Sequence, residues 1–228
     1  MKISILGTGS VGQSISAKMI ALGHKVFMAS RDAQQARERI QTNPMTGSSF
    51  AEWLTKNTAV NLVNYNDLPP DTDIYINCTQ GEGSVAALKA IGKDKIKNKI
   101  ILDISNPLDF SKGMPPTLFI SNTDSLAETI QREFPDSKIV KGLNTMNCNI
   151  MMNPSIVPGD HNVFLSGNDQ QAKNEISSLL ISVGWKADNI IDLGDISTAR
   201  GTEMILPIWL RLWGALGTAE FNFHIAKK

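Results

Sequence analysis

The first 31 residues constrain this chain more than any other stretch. An apolar run over Lys2 to Leu6 leads into Gly7-Thr8-Gly9-Ser10-Val11-Gly12. A helical segment follows to residue 22, with Val11, Ile15 and Met19 on one stripe and Gly23 as its stop. A second apolar run begins at Lys25 and ends at Ala29-Ser30-Arg31. Strand, glycine turn, helix and strand in that order predict a βαβ unit whose two strands lie parallel in one sheet.

The alternation continues along the chain. Further strands are expected at 73–78, 99–104 and 138–143, with a weaker one at 60–65. Helices are expected near 32–42, 50–57, 84–93 and 124–134. Several strand runs are apolar throughout, as parallel strands covered on both faces require. Asp124-Ser-Leu-Ala-Glu128 supplies capping chemistry and Pro135 a stop. Right-handed crossovers turn this order into a doubly wound α/β sheet.

After Asn144 the rhythm changes. Extended pieces are expected at 162–166, 189–193 and 220–226, an amphipathic helix at 169–183, and a long apolar helix over 197–214, bent or begun at Pro207. The predicted organisation is a dinucleotide-binding domain over 1–145 and a small C-terminal α+β lobe over 146–228. The loop 109–123 is the longest irregular stretch.

Composition narrows the setting. The chain has 228 residues, and its 22 Lys+Arg balance 22 Asp+Glu, so no global field recruits nucleic acid or an anionic membrane. The two cysteines, Cys78 and Cys148, stand in no metal-binding pattern and fit a reducing cytoplasm. No run of 18 apolar residues occurs, and residue 1 leads straight into a strand, so neither a membrane span nor a signal peptide is expected.

Ligands of open α/β sheets bind beyond the carboxyl ends of the strands. Five such ends carry residues that are not core residues: Gly7-Thr8-Gly9, Ser30-Arg31, Thr79-Gln80-Gly81, Ser105-Asn106-Pro107 and Asn144-Thr145. In the glycine turn, Gly7 permits the tight bend, Gly9 admits a pyrophosphate to the backbone, and Gly12 lets helix and strand pack. The N-terminus of the helix, at Ser10 and Val11, offers N–H groups to phosphate.

The end of the second strand decides which dinucleotide. An NAD site usually carries Asp or Glu there, whereas Ser30-Arg31 suits the 2′-phosphate of NADP through charge-assisted hydrogen bonds. Asp32 comes one or two places late for a ribose acceptor and keeps NAD open. Arg31 could also be solvated, paired with Asp32 or Glu38. Thr79, Gln80, Asn106, Pro107 and Asn144 would flank the nicotinamide half; ordinary loop chemistry explains them equally well.

No acid–base centre stands out. His24 falls at the opposite end of the sheet from the glycine turn, and His161 and His224 read as structural. Cys78 reads as a small buried apolar group. A hydride passed between two cofactor rings needs no protein acid, so the missing proton donor favours a second redox ring over a carbonyl substrate.

The chain resembles the NADP oxidoreductases related to deazaflavin (coenzyme F420)-dependent NADP reductase. The resemblance rests on residues 5–12, on Ala29-Ser30-Arg31-Asp32, and on Asp103-Ile-Ser-Asn106-Pro107-Leu108. It continues through residues 124–135, Lys141-Gly-Leu-Asn144-Thr145, Ala199-Arg-Gly-Thr-Glu203 and Phe221-Asn222-Phe223. It implies a Rossmann-type domain with a small C-terminal lobe, often dimeric, and a deazaflavin stacked over the nicotinamide between the lobes. It also implies that Ser30 and Arg31 hold the 2′-phosphate, with Thr79, Asn106 and Asn144 along the nicotinamide. The segment 43–57, longer than in the shortest relatives, would cap the adenine side or alter the cleft.

The apolar part of the 197–214 helix, Met204 to Trp213, is expected in a homodimer interface. Glu203 and Arg211 would pair across that interface, line the cleft, or stay solvated. The leading function is an NADP(H)-dependent oxidoreductase acting on a deazaflavin or on a flavin such as FMN or FAD. A reductase of a small carbonyl or imine, and a non-catalytic NADP(H) sensor, are the alternatives.

Overall fold

The computed structural model describes residues 1–43 and 47–228. Its first half follows the predicted alternation: β1 (Lys2–Leu6), α1 (Ser10–Ala21), β2 (Lys25–Ser30), α2 (Ala33–Arg37), α3 (Phe50–Lys56), β3 (Asn61–Asn64) and β4 (Ile74–Asn77). Then come α4 (Gly81–Ile91), α5 (Lys93–Ile96), β5 (Ile100–Asp103), a small antiparallel hairpin of β6 (Leu108–Asp109) and β7 (Thr117–Leu118), α6 (Leu126–Glu133) and β8 (Lys138–Gly142). The remainder holds α7 (Cys148–Met152), β9 (Val163–Ser166), α8 (Gln170–Val183), β10 (Ile190–Asp192), α9 (Ala199–Met204) and α10 (Leu206–Leu216).

One eight-stranded sheet runs in the order β10-β9-β8-β5-β4-β1-β2-β3. From β8 to β3 every pairing is parallel, so six carboxyl ends share one rim. The strand order reverses at β1, which lies between β2 and β4. That crevice is where a doubly wound sheet binds its ligand.

Strand alternation builds two cores. Ile3, Ile5, Ile74, Ile76, Ile100 and Leu102 face α1, α7 and α8, while Tyr75, Ile101 and Ile139 face α4 and α6. The expected boundary after residue 145 falls inside this sheet. β9 pairs antiparallel with β8, and Val163, Leu165, Ile176 and Leu180 join the same core as Ile3 and Ile5.

Three elements depart from expectation. The predicted helix 32–42 ends at Arg37, because the chain turns and carries Arg39 to the carbonyl of Thr8. The long C-terminal helix is two helices bent at Ile205, just before Pro207. The strand expected at 220–226 does not form. Asn162 N–H donates to Phe223 O at 2.8 Å, but Ile225 N–H donates to the Asn162 side chain at 2.7 Å, so a side chain replaces the next ladder bond.

Candidate functional site

Two cavities meet at the glycine turn. The first, about 570 Å³, is bounded by Gly7 and Thr8, the end of β2 at Ser30 and Arg31, and Arg39 and Tyr65. The second, about 380 Å³, begins at Gly9, Ser10 and Val11 and continues past Thr79, Asn106 and Asn144 to Trp209. A molecule lying along both would cross the turn at Gly9.

The three glycines of the turn do different work. Gly7 has φ +104, and a Cβ there would lie 2.8 Å from Cys78 O at the end of β4. A Cβ on Gly12 would meet Gly7 O at 2.2 Å. Gly9 has φ −78 and ψ −177, which any residue adopts, and a Cβ there would meet nothing within 4 Å among the described residues. Packing therefore demands Gly7 and Gly12, while the space over Gly9 is left open beside the first N–H groups of α1. That is the cradle a pyrophosphate would fill.

In the first cavity Ser30 Oγ is buried without a hydrogen-bond partner among the described residues. Arg31 is exposed and makes no ion pair among the described residues. The carboxylate of Asp32 caps α2, accepting from Gln35 N–H at 2.8 Å, and Glu38 accepts from Gln34. Neither competes for Arg31. Asp32 and Glu38 also border the cavity, but among the described residues neither pairs with Arg31, and a hydroxyl without a partner there beside an unpaired guanidinium fits a 2′-phosphate.

In the second cavity the amide side chains hold each other. Asn106 Nδ2 donates to Asn144 O at 2.9 Å, and Asn144 Nδ2 donates to Asn106 Oδ1 at 2.9 Å and to Thr202 O at 3.1 Å. Asn144 Oδ1 and Trp209 Nε1 are left buried without partners among the described residues. An acceptor and a donor in one apolar cavity suit the amide edge of a nicotinamide or of a redox ring. Leu143, just before Asn144, holds φ +62, a conformation costly for a bulky residue and typical of functional rims.

The other candidates divide. Thr79 Oγ1 donates to Asn77 Oδ1 at 2.7 Å and lies 3.0 Å from Ser84 Oγ, so its hydroxyl is largely committed. Gln80 is exposed at the start of α4, and Thr145 is buried. Pro107 is buried and borders neither cavity; its carbonyl accepts from Phe119 N–H at 2.9 Å, tying down the hairpin.

Among the described residues lining the second cavity, the ionisable side chains are the two thiols. Desolvation, with the Asp103 charge second, pushes the Cys78 thiol far above its ordinary value, and burial raises Cys148. Both stay protonated and poor at giving up a proton. His161 is structural, held between Pro154 O at 2.9 Å and Asn222 Nδ2 at 2.8 Å.

A buried charge network beneath the rim escaped the sequence. Lys141 Nζ lies 2.8 Å from both Asp103 Oδ2 and Glu203 Oε1 and also donates to Ser105 O. Asp103 Oδ1 accepts from Asn77 Nδ2 at 2.8 Å and from Ser105 Oγ at 2.6 Å. Glu203 accepts the N–H groups of Leu126 at 2.8 Å and Ala127 at 3.1 Å, neutralising the N-terminus of α6. Burial opposes charge on Lys141, but the two carboxylates outweigh it and hold its pKa above the usual lysine value. Glu203 therefore neither crosses an interface nor stays solvated, as its spacing from Arg211 had suggested. A lysine inside an otherwise apolar strand was the available signal. Arg39 and Tyr65 were likewise missed, being brought to the first cavity by tertiary turns.

Comparison with known proteins supports the same assignment. The profile of a family described as NADP oxidoreductase, coenzyme F420-dependent, matches residues 2–107. A crystal structure from Arthrobacter sp. FB24, provisionally titled an F420-dependent NADP-reductase, is 50% identical, with a TM-score of 0.93 and 100% of both chains covered. The F420-dependent NADP reductase of Methanothermobacter marburgensis is 25% identical over 217 residues, covering 93% of this chain and 92% of its own. Metalloreductase STEAP3 of Rattus norvegicus is 23% identical over 213 residues, 91% of this chain but 38% of that protein. The chain spans about two fifths of the length of the metalloreductases it matches.

Proposed function

The chain belongs to the coenzyme F420-dependent NADP oxidoreductase family, and from that premise we propose that it passes hydride between NADP(H) and a second redox ring, deazaflavin or flavin. The observation that carries this reading is the pair of cavities flanking the glycine turn, one lined by Gly7 and Thr8 and the other by Gly9. One end carries the chemistry of a phosphate site, and the other is an apolar slot whose ionisable lining groups are two raised thiols.

Ser30 and Arg31 bind the 2′-phosphate, the N–H groups at the start of α1 hold the pyrophosphate, and Asn144 Oδ1 and Trp209 Nε1 orient amide edges. When bound, the reduced nicotinamide supplies a hydride. The protein would hold two ring faces together and keep water from between them, and the proton that balances the hydride on the second ring would come from solvent at the open edge of the cavity, since the lining thiols are poor donors. The reaction belongs in the cytoplasm, where both cysteines remain thiols. The exposed Ile208, Trp213 and Leu216 of α10 are the face on which a second copy would pack.

The test follows NADPH consumption with coenzyme F420, FMN, FAD, a panel of carbonyls and imines, and no acceptor. Turnover with F420 or a flavin is expected. Turnover confined to carbonyls or imines would refute the ring-to-ring reading, and NADPH binding without any turnover would make the protein a sensor. Light scattering in solution reports the expected dimer, and a monomer at micromolar concentration would refute it.

A further inference from the structure

We propose that Arg39 is a second cation for the 2′-phosphate of the dinucleotide, closing over Thr8 opposite Arg31 to form a two-arginine clamp. The proposal rests on the reading that the first cavity takes NADP(H).

Arg39 sits where α2 has already ended. Its Nη2 donates to Thr8 O at 2.8 Å and to Thr8 Oγ1 at 3.1 Å, and its guanidinium carbon lies 4.9 Å from the centre of the Phe50 ring. Its own carbonyl accepts Ala51 N–H at 3.2 Å, and Asn43 Nδ2 donates to Ser10 Oγ at 2.7 Å. The chain after α2 is thus strapped across the glycine turn, with α3 as its anchor. Of the segment expected to cap the adenine side, residues 44–46 lie outside the described residues.

The charge on Arg39 is unmatched. It is half-buried, and desolvation lowers its pKa, yet its contacts are a carbonyl, a hydroxyl and an aromatic face, with no carboxylate among the described residues. Asp32 and Glu38 border the same cavity but make no ion pair with Arg39 among the described residues; Asp32 accepts from Gln35 N–H and Glu38 from Gln34. A partly desolvated cation that meets no counter-ion among the described residues, with Nε and Nη1 making no hydrogen bond to them, calls for an anionic ligand.

Position selects which phosphate. Arg39 shares its cavity with Ser30 and Arg31, and that cavity also holds the orphaned Ser30 Oγ. Gly9, Ser10 and Val11, where a pyrophosphate would lie, border the other cavity. The stacking on Phe50 fixes the guanidinium plane, so the geometry exists before the ligand arrives.

Calorimetric titration of wild type, Arg39→Met and Arg39→Lys tests the clamp, with adenosine 2′,5′-bisphosphate, AMP, NADPH and NADH as probes. Arg39→Met is expected to weaken the bisphosphate and NADPH at least tenfold while AMP and NADH change less than threefold. Equal loss for NADPH and NADH, or no loss for either, would overturn the proposal. If Arg39→Met does not fold, Arg39→Lys decides: NADPH weakened threefold or more with NADH unchanged supports the clamp, and unchanged NADPH refutes it. A wild-type protein that binds NADPH no better than NADH would overturn the underlying NADP reading as well, and that result is visible before any variant is made.

Discussion

Replacing Gly9 by valine should separate binding from folding. The backbone at Gly9 is open to any residue, and a Cβ there meets nothing within 4 Å among the described residues. The change alters only the N-cap of α1, where valine is inferior to glycine by about 1 kcal/mol. For a chain of this size that is a fall of roughly 2–4 °C in Tm. Binding is another matter, because the valine methyls enter the space a pyrophosphate would need. Crowding costs about 1–3 kcal/mol, and displacing phosphate from the helix N-terminus about 1 kcal/mol more. At about 1.4 kcal/mol per decade, NADPH and NADH should both weaken roughly thirty- to several-hundredfold. Gly12→Val is the control. Its Cβ would stand 2.2 Å from Gly7 O, so it should lose the fold rather than the ligand alone. Differential scanning fluorimetry with calorimetric titration reads both quantities. Retained dinucleotide affinity in Gly9→Val would remove the turn from the site, and a collapse in Tm would show that Gly9 is structural.

Arg31→Ala should weaken NADPH roughly ten- to hundredfold, since a charge-assisted bond contributes about 1.5–3 kcal/mol, and should leave NADH nearly unchanged in the same titration. Lys141→Met strands two buried carboxylates at a cost of about 3–5 kcal/mol, lowering Tm by roughly 6–20 °C. In wild type the raised pKa of Lys141 makes its contribution complete below the ordinary lysine pKa of about 10.4 and lost as pH climbs through the folded value, which alkaline melts can follow. Trp209→Phe keeps the ring and deletes Nε1–H. It should raise the KM for the second ring about two- to tenfold without moving the Kd for NADPH, as steady-state kinetics and titration would show.

Much of this could be read from the residues, for physical reasons. Parallel strands such as Ile100–Asp103 are buried on both faces, and continuous apolar runs advertise that. The convergence of strand ends followed from the handedness of the crossovers, so the glycine turn, Ser30-Arg31 and Asn106 with Asn144 could be placed on one rim in advance. The failures involve contacts between distant elements. Arg39 fitted the solvated face of a longer helix, and only the tertiary pull toward Thr8 ends α2 at Arg37. Glu203 was expected to pair with Arg211 across an interface, to line the cleft or to stay solvated, yet it serves Lys141 on β8 and the N-terminus of α6. Two such partners cannot be inferred from helical spacing. Pro107 fitted the rim by position but turns its carbonyl to Phe119.

The most direct test of the account mixes NADPH stereospecifically deuterated at the reactive carbon with oxidised coenzyme F420 and weighs the reduced deazaflavin by mass spectrometry. Because the accepting position in the deazaflavin is a carbon, a transferred deuteride is retained. Deuterium is expected in the product from one of the two NADPH epimers. Reduced deazaflavin without deuterium from either epimer, or no reduction while a carbonyl or imine is turned over, would contradict it.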